Sequence, residues 1–246
     1  MIEPAHAPVL EAAGLTKRYG TTVALDRVDF AVAAGEVFCL LGANGAGKTT
    51  AIHLFLGFTR PDAGTARVQG IDVAVDPLTA RRRVAFVPEQ VALYPTLSGL
   101  ENLAYFAGLA APARAGARDF LRVLDDFGLP ETVARAPAAT YSRGVRQRVG
   151  LAIAVARDAR ALLLDEPASG LDPRAGGELT ALVRRLADAG AAVLMTTHDL
   201  FGVKALGTRV GILTRGRLTA TFRADELSHA DLQAVYFQLT ADPPSR

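Results

Sequence analysis

Three short apolar runs set the frame of the chain. Val37-Phe38-Cys39-Leu40-Leu41 leads into Gly42, Leu162-Leu163-Leu164 into Asp165, and residues 191–195 into Thr196, Thr197 and His198. Continuous apolar runs this short read as strands buried on both faces, the pattern of a parallel sheet covered by helices. Helical periodicity lies between them, over residues 50–58 and 178–189. Ligand groups in such sheets gather at the carboxyl ends of the strands, so the residues that follow each run are the candidates for chemistry. The opening segment, 9–30, alternates apolar and polar residues, most clearly over 22–30, and predicts a small antiparallel sheet. From 91 to 160 the pattern is helical, broken at Pro95, Pro112, Pro130 and Pro137, with no central strand. The expected fold class is α/β, in a single domain over 1–246. A core over 9–90 and 161–223 includes the antiparallel part, a helical subdomain is inserted over 91–160, and a peripheral, helical segment follows over 224–246, frayed at 242–246.

Composition narrows this further. Half of the 246 residues are apolar and 21% are charged, the balance of a globular chain that can bury a sizeable core. Lys17, Lys48 and Lys204 are the only lysines among 27 basic residues, and the net charge is +2, spread along the chain. That argues against a nucleic-acid partner, which calls for a concentrated basic stripe. The lone cysteine, Cys39, excludes an internal disulfide and a multi-cysteine metal site, and its apolar run reads as a buried, inert thiol. The N-terminus, with Glu3, Pro4 and His6, does not read as a secretory signal. No stretch approaches the roughly 18 uninterrupted apolar residues of a membrane span. The most apolar segment, 151–164, is broken by Arg157, Asp158 and Arg160. A membrane role is therefore expected to run through a partner.

Candidate chemistry concentrates after the first two runs. Gly42-Ala43-Asn44-Gly45-Ala46-Gly47-Lys48-Thr49-Thr50 fits the G-x-x-x-x-G-K-[ST] pattern of a P-loop, between a strand and a helix as that pattern requires. Gly42, Gly45 and Gly47 are expected to take positive φ and let backbone amides approach phosphate oxygens. Lys48 would neutralise the β- and γ-phosphates, Thr49 would offer its hydroxyl to Mg²⁺, and Thr50 would donate to the α-phosphate. Asp165, at a strand end, suits Mg²⁺, held through water. Glu166, next along, suits a general base that polarises an attacking water. These residues predict a P-loop NTPase core that binds a nucleotide with Mg²⁺.

With these motifs the sequence resembles the ATP-binding cassette family over nearly its whole length. Tyr19 sits where the family keeps an aromatic that stacks on adenine. Tyr141-Ser142-Arg143-Gly144-Val145 is similar to the signature usually written LSGGQ. Ser169-Gly170-Leu171-Asp172 resembles the D-loop, and His198, in Thr196-Thr197-His198-Asp199, resembles the switch histidine that bonds the γ-phosphate and orients the water. Glu89 and Gln90 fall at the Q-loop. The resemblance implies that Ser142, Arg143 and Gly144 face ATP held by another copy, because helix N-terminal amides suit a γ-phosphate. One P-loop and one signature then make two incomplete half-sites, and a second cassette, as a homodimer, is the implied partner.

Two departures accompany the match. Arg143 replaces the first glycine of the signature. Alignment on Phe86-Val87-Pro88 puts Glu89 at the usual glutamine position, with Gln90 one later, so either residue can be the functional one; Glu89 would join Thr49 and Asp165 at Mg²⁺. The segment 87–103 is similar to that of cassettes paired with type-2 exporter permeases. The resemblance therefore implies an ATP-hydrolysing transporter subunit at the cytoplasmic face of the membrane, bound to an integral-membrane permease and moving a substrate outward. The competing class is a soluble cassette ATPase, which ordinarily carries two cassettes, a coiled-coil insertion or zinc-binding cysteines, none of them present here. A nucleotide kinase or GTPase would leave the signature and the histidine unexplained, and no Asn-Lys-x-Asp guanine motif occurs.

Overall fold

A computed structural model describes residues 7–109, 116–157 and 159–240. Pro112 and the end expected to fray, 242–246, lie outside the described residues. In chain order the elements are β1 (Leu10–Tyr19), β2 (Thr22–Val32), β3 (Val37–Leu41), α1 (Lys48–Phe55), β4 (Ala63–Val68), β5 (Ile71–Asp72), α2 (Pro77–Arg82) and β6 (Val84–Val87). Then follow α3 (Gly99–Gly108), α4 (Ala117–Asp126), α5 (Glu131–Ala134), α6 (Arg143–Ala156), β7 (Ala161–Asp165), α7 (Pro173–Asp188), β8 (Ala192–Thr197), α8 (Leu200–Leu206), β9 (Arg209–Thr214), β10 (Arg217–Arg223) and α9 (His229–Thr240).

The strands form two sheets. One is antiparallel, in the order β2-β1-β4-β5; the other runs β10-β9-β3-β8-β7-β6, parallel except for the β10–β9 edge. The three apolar runs become β3, β7 and β8, neighbours at the centre of the second sheet. Their side chains alternate between two cores. Val37, Cys39, Leu41, Leu162, Leu164, Val193 and Met195 face the core shared with α3–α8. Phe38, Leu40, Leu163 and Leu194 face the core beneath the antiparallel sheet, which also holds Leu10, Phe30 and Phe55. Both faces being covered explains why these strands read as unbroken apolar runs. Stacking of Phe30 on Phe38, at 5.1 Å and 8°, joins the two sheets.

Both helices expected around the core have shifted boundaries, for identifiable reasons. The helix read over 50–58 starts at Lys48 and ends at Phe55. Gly57, at φ 63°, closes it with paired bonds from Phe58 N to His53 O and from Gly57 N to Leu54 O, a Schellman stop. The helix read from 178 starts at Pro173, because Asp172 caps it by accepting from Arg174 N and Ala175 N, each at 3.0 Å. The strands β6, β9 and β10 lay outside the three runs read as strands; β6 has only four residues and follows Arg81-Arg82-Arg83, which are exposed.

Between β6 and β7, α3, α4 and α5 precede Ser142, which caps the start of α6. Ser98 and Glu101 form a capping box at the start of α3. Tyr141 Oη accepts from Gly99 N at 2.9 Å and donates to Val133 O at 2.6 Å. That clamp fixes the chain immediately before Ser142.

Candidate functional site

The site forms where β3, β7 and β8 end. Residues 42–47 turn from β3 into α1, with Gly45 at φ 80° and Gly47 at φ 109°. Gly42 does not take the expected positive φ. It is required for a different reason, since a Cβ there would stand 2.5 Å from Leu213 O. A Cβ on Gly47 would stand 2.2 Å from Ala24 O, so the turn is pressed against the start of β2. Gly47 supplies no side-chain cap to α1, and the first-turn amides of the helix remain available to an anion. Ala43, Asn44 and Ala46 fill the turn, and Thr50 lies in the first turn of the helix.

Lys48, only 6% exposed, turns back under this loop. Its Nζ donates to Gly42 O at 2.6 Å and Ala43 O at 3.2 Å, and lies 3.1 Å from Glu166 Oε1. Thr49 Oγ1 lies 3.0 Å from Asp165 Oδ2 and 3.3 Å from Oδ1. Asp165 Oδ1 also accepts from Thr196 Oγ1 on β8. Glu166 leaves β7 at φ 47°, a left-handed conformation that costs a non-glycine residue about 1 kcal/mol. Its amide donates to Thr196 O and to Thr196 Oγ1, both at 3.1 Å, which holds the turn. The carboxylate is thereby aimed between two elements. Oε2 lies 2.8 Å from His198 Nδ1 and accepts from His198 N at 3.3 Å. Oε1 is buried, in ion-pair range of Lys48, yet accepts no hydrogen bond.

These oxygens fit a magnesium ion. A hydroxyl and a carboxylate are hard ligands, and Mg²⁺ is usually held by one or two carboxylates with phosphate oxygens and water completing the shell. Among the described residues no group of three or more His, Cys, Asp or Glu is gathered for a metal. Glu89 is engaged elsewhere: its carboxylate pairs with Arg143 at 3.2 Å and accepts from Ser169 Oγ at 3.4 Å. Gln90 is exposed and lines a surface concavity with Arg143 and Arg146.

Ser142 caps α6, accepting from Val145 N at 3.3 Å. Gly144 comes close to α7, where an added Cβ would stand 3.3 Å from Ala175 Cβ. Tyr19, half-exposed at the end of β1, has Lys17 Nζ 5.4 Å from its ring centroid. Its hairpin is tied to the P-loop through β2, by the contact of Ala24 with Gly47. Sequence reasoning named Ser169 and Thr196 only as members of motifs and gave neither them nor Gln147 a role of its own. Each is an ordinary polar residue in or beside a motif, and only the fold shows that Thr196 links the Asp165 carboxylate to the Glu166 amide.

A family model described as ABC transporter matches residues 25–169. The daunorubicin/doxorubicin resistance ATP-binding protein DrrA of Streptomyces peucetius is 40% identical over 219 residues, which cover 89% of this chain and 66% of that protein. The chain thus spans just under two thirds of that relative's length. Among solved structures, an ATP-binding subunit of an ABC transporter superposes with a TM-score of 0.81 at 30% identity, covering 93% of this chain and 99% of that one. A dimeric ATP-binding cassette in a post-hydrolysis state, bound to ADP and Pi, does so with a TM-score of 0.78 at 25% identity, covering 87% and 98%.

Proposed function

The chain belongs to the ABC transporter family, and from that premise we propose that it is the ATP-hydrolysing motor subunit of an exporter. In this reading it works as a pair of cassettes on the cytoplasmic face of the membrane and drives a separate integral-membrane permease. The observation that carries the reading is the convergence on Glu166: Lys48 on one carboxylate oxygen, His198 on the other. Among the described residues no helix is long and apolar enough to cross a membrane. The relative's name, which records drug resistance, supports outward transport.

The residues divide the chemistry as follows. Amides around Gly45 and Gly47 and the start of α1 receive the phosphates, and Tyr19 offers its ring to adenine. Phosphate oxygens compete with the carbonyls of Gly42 and Ala43 for the Lys48 ammonium. Thr49 and Asp165 would hold Mg²⁺, which when bound neutralises charge on the β- and γ-phosphate oxygens. Glu166 Oε1, a buried acceptor without a hydrogen bond, takes the proton of a water as the water's oxygen bonds to the γ-phosphorus. The bond from that phosphorus to the β–γ bridging oxygen breaks, and ADP leaves with the electron pair. His198 Nδ1 holds Oε2 in place. Ser142 and Gly144 of one copy complete the γ-phosphate contacts of the other, and Asp172 starts the helix that Gly144 packs against.

Steady-state ATP turnover of the purified chain, compared with its Lys48→Ala variant, tests the reading. Turnover that requires Mg²⁺ and is lost in the variant supports it; wild-type turnover in the variant overturns it.

A further inference from the structure

Two positions at which the chain departs from the family pattern are each other's partners. Arg143, where the signature ordinarily has glycine, places Nη2 3.2 Å from both the carbonyl oxygen and Oε1 of Glu89, where the Q-loop ordinarily has glutamine. Glu89 lies just beyond β6 and Arg143 is the first residue of α6, 54 positions later. A third segment closes on the pair. Ser169 Oγ donates to Glu89 Oε1 at 3.4 Å, and a Cβ on Gly170 would stand 2.9 Å from Arg143 Nη1, so the guanidinium rests against the turn that leads to Asp172. One helical turn beyond Arg143, buried Gln147 donates to Glu89 O at 2.8 Å and to Pro88 O at 3.4 Å. Two side chains on one face of α6 therefore fasten its first turn to the loop after β6.

We propose that Arg143 and Glu89 are a compensating pair of positioning residues that sets the first turn of α6, and with it Ser142 and Gly144, against the loop after β6 and the 169–172 turn. The proposal rests on reading Ser142 and Gly144 as the segment that faces the other copy's ATP. Each departure is serviceable only with the other. Glycine at 143 has nothing to reach Glu89, and glutamine at 89 has no charge to hold Arg143. Arg143 Nε is buried without a hydrogen-bond partner, so the Nη2 contacts are what orients the side chain. Arg146 lines the same concavity, and loss of the Glu89 charge leaves two cations together. The side chains are 36% and 48% exposed, so their attraction is screened and their value is geometric rather than a large gain in stability.

A double-mutant cycle over Glu89→Gln, Arg143→Gly and the combined variant tests the pair, read by ATP turnover and by amide hydrogen exchange of residues 88–91 and 143–147. Each single change should lower kcat about 3- to 10-fold, while the KM for ATP moves less than about twofold, since the P-loop is untouched. The combined variant should return to within about twofold of the wild-type kcat. Exchange in both segments should quicken in the single variants and slow again in the combined one. Losses that multiply in the combined variant, or single variants at the wild-type rate, overturn the pairing. If the wild type itself does not turn over ATP, the motor reading fails and the exchange cycle alone decides. Non-additive protection supports the pair, and additive or unchanged protection overturns it.

Discussion

Glu166 Oε2 and His198 Nδ1 lie 2.8 Å apart, joining the residue that follows β7 to the residue that follows β8. Glu166 is 12% exposed and His198 54%, so the histidine covers the carboxylate while keeping one edge open to solvent and ligand. A left-handed turn at Glu166, held by Thr196, makes the meeting possible. His198→Ala should therefore lower kcat on the order of 10²-fold or more, the scale of a lost acid–base or orienting partner. ATP affinity should change only a few-fold, since the P-loop contacts remain. Parallel measurement of turnover and of equilibrium ATP binding checks this; an equal loss in both would show that the histidine serves binding instead.

Lys48→Ala removes the ammonium that lies under the P-loop and leaves Glu166 without its buried cation. ATP binding should weaken by about 1.5–3 kcal/mol, the worth of a hydrogen bond to a charged group, or roughly tenfold or more in Kd. Calorimetric titration with ATP reads this directly. Unchanged affinity would mean that the ammonium does not reach the phosphates.

The P-loop fold itself can be challenged at Gly47. A methyl group there would stand 2.2 Å from Ala24 O, and φ 109° is a conformation that side chains rarely adopt. Gly47→Ala should lower the thermal unfolding midpoint and abolish ATP binding together, because the loop has to part from β2. The same substitution at Gly45, where nothing stands within 4 Å of an added Cβ but φ is 80°, carries the backbone strain without the clash. It should cost less stability, and differential scanning calorimetry of the two variants separates the effects.

Cys39 lies fully buried in β3, and burial pushes its thiol pKa up to about 12. The native protein should thus resist a thiol reagent at pH 8 and react only on unfolding, as a timed assay with and without denaturant would show. The linkage follows the same sign. The folded thiol keeps its proton above the unfolded pKa of about 8.5, so this residue's contribution to stability is complete below that value and is lost as pH rises towards 12.

How far the sequence could be read depended on whether a residue's setting was local. The runs at β3, β7 and β8 were legible because burial on both faces leaves no polar positions in them. Lys48, Asp165 and Glu166 were legible as candidates because each ends or directly follows such a strand or opens the next helix. What escaped was set by distant partners. Gly42 is required by a carbonyl in β9, not by its own φ, and Thr196 matters through Asp165 and Glu166 on the neighbouring strand. Asp172 was noted for its motif, yet its cap also moved the start of α7 back to Pro173. Arg143 and Glu89, read separately as departures, form one contact only once α6 is folded against the loop after β6.

Whether Glu166 is the base of a site completed by a second copy can be read from the size of the Glu166→Gln variant in Mg-ATP, measured by light scattering. Glutamine keeps the shape and the contact with His198 but cannot accept a proton, so ATP should bind, persist and hold two chains together. A dimer should form with ATP, be absent with ADP, and accompany turnover reduced to a small fraction of wild type. A variant that stays monomeric with ATP bound, or that hydrolyses ATP at the wild-type rate, would mean that Glu166 is not the base of a shared site.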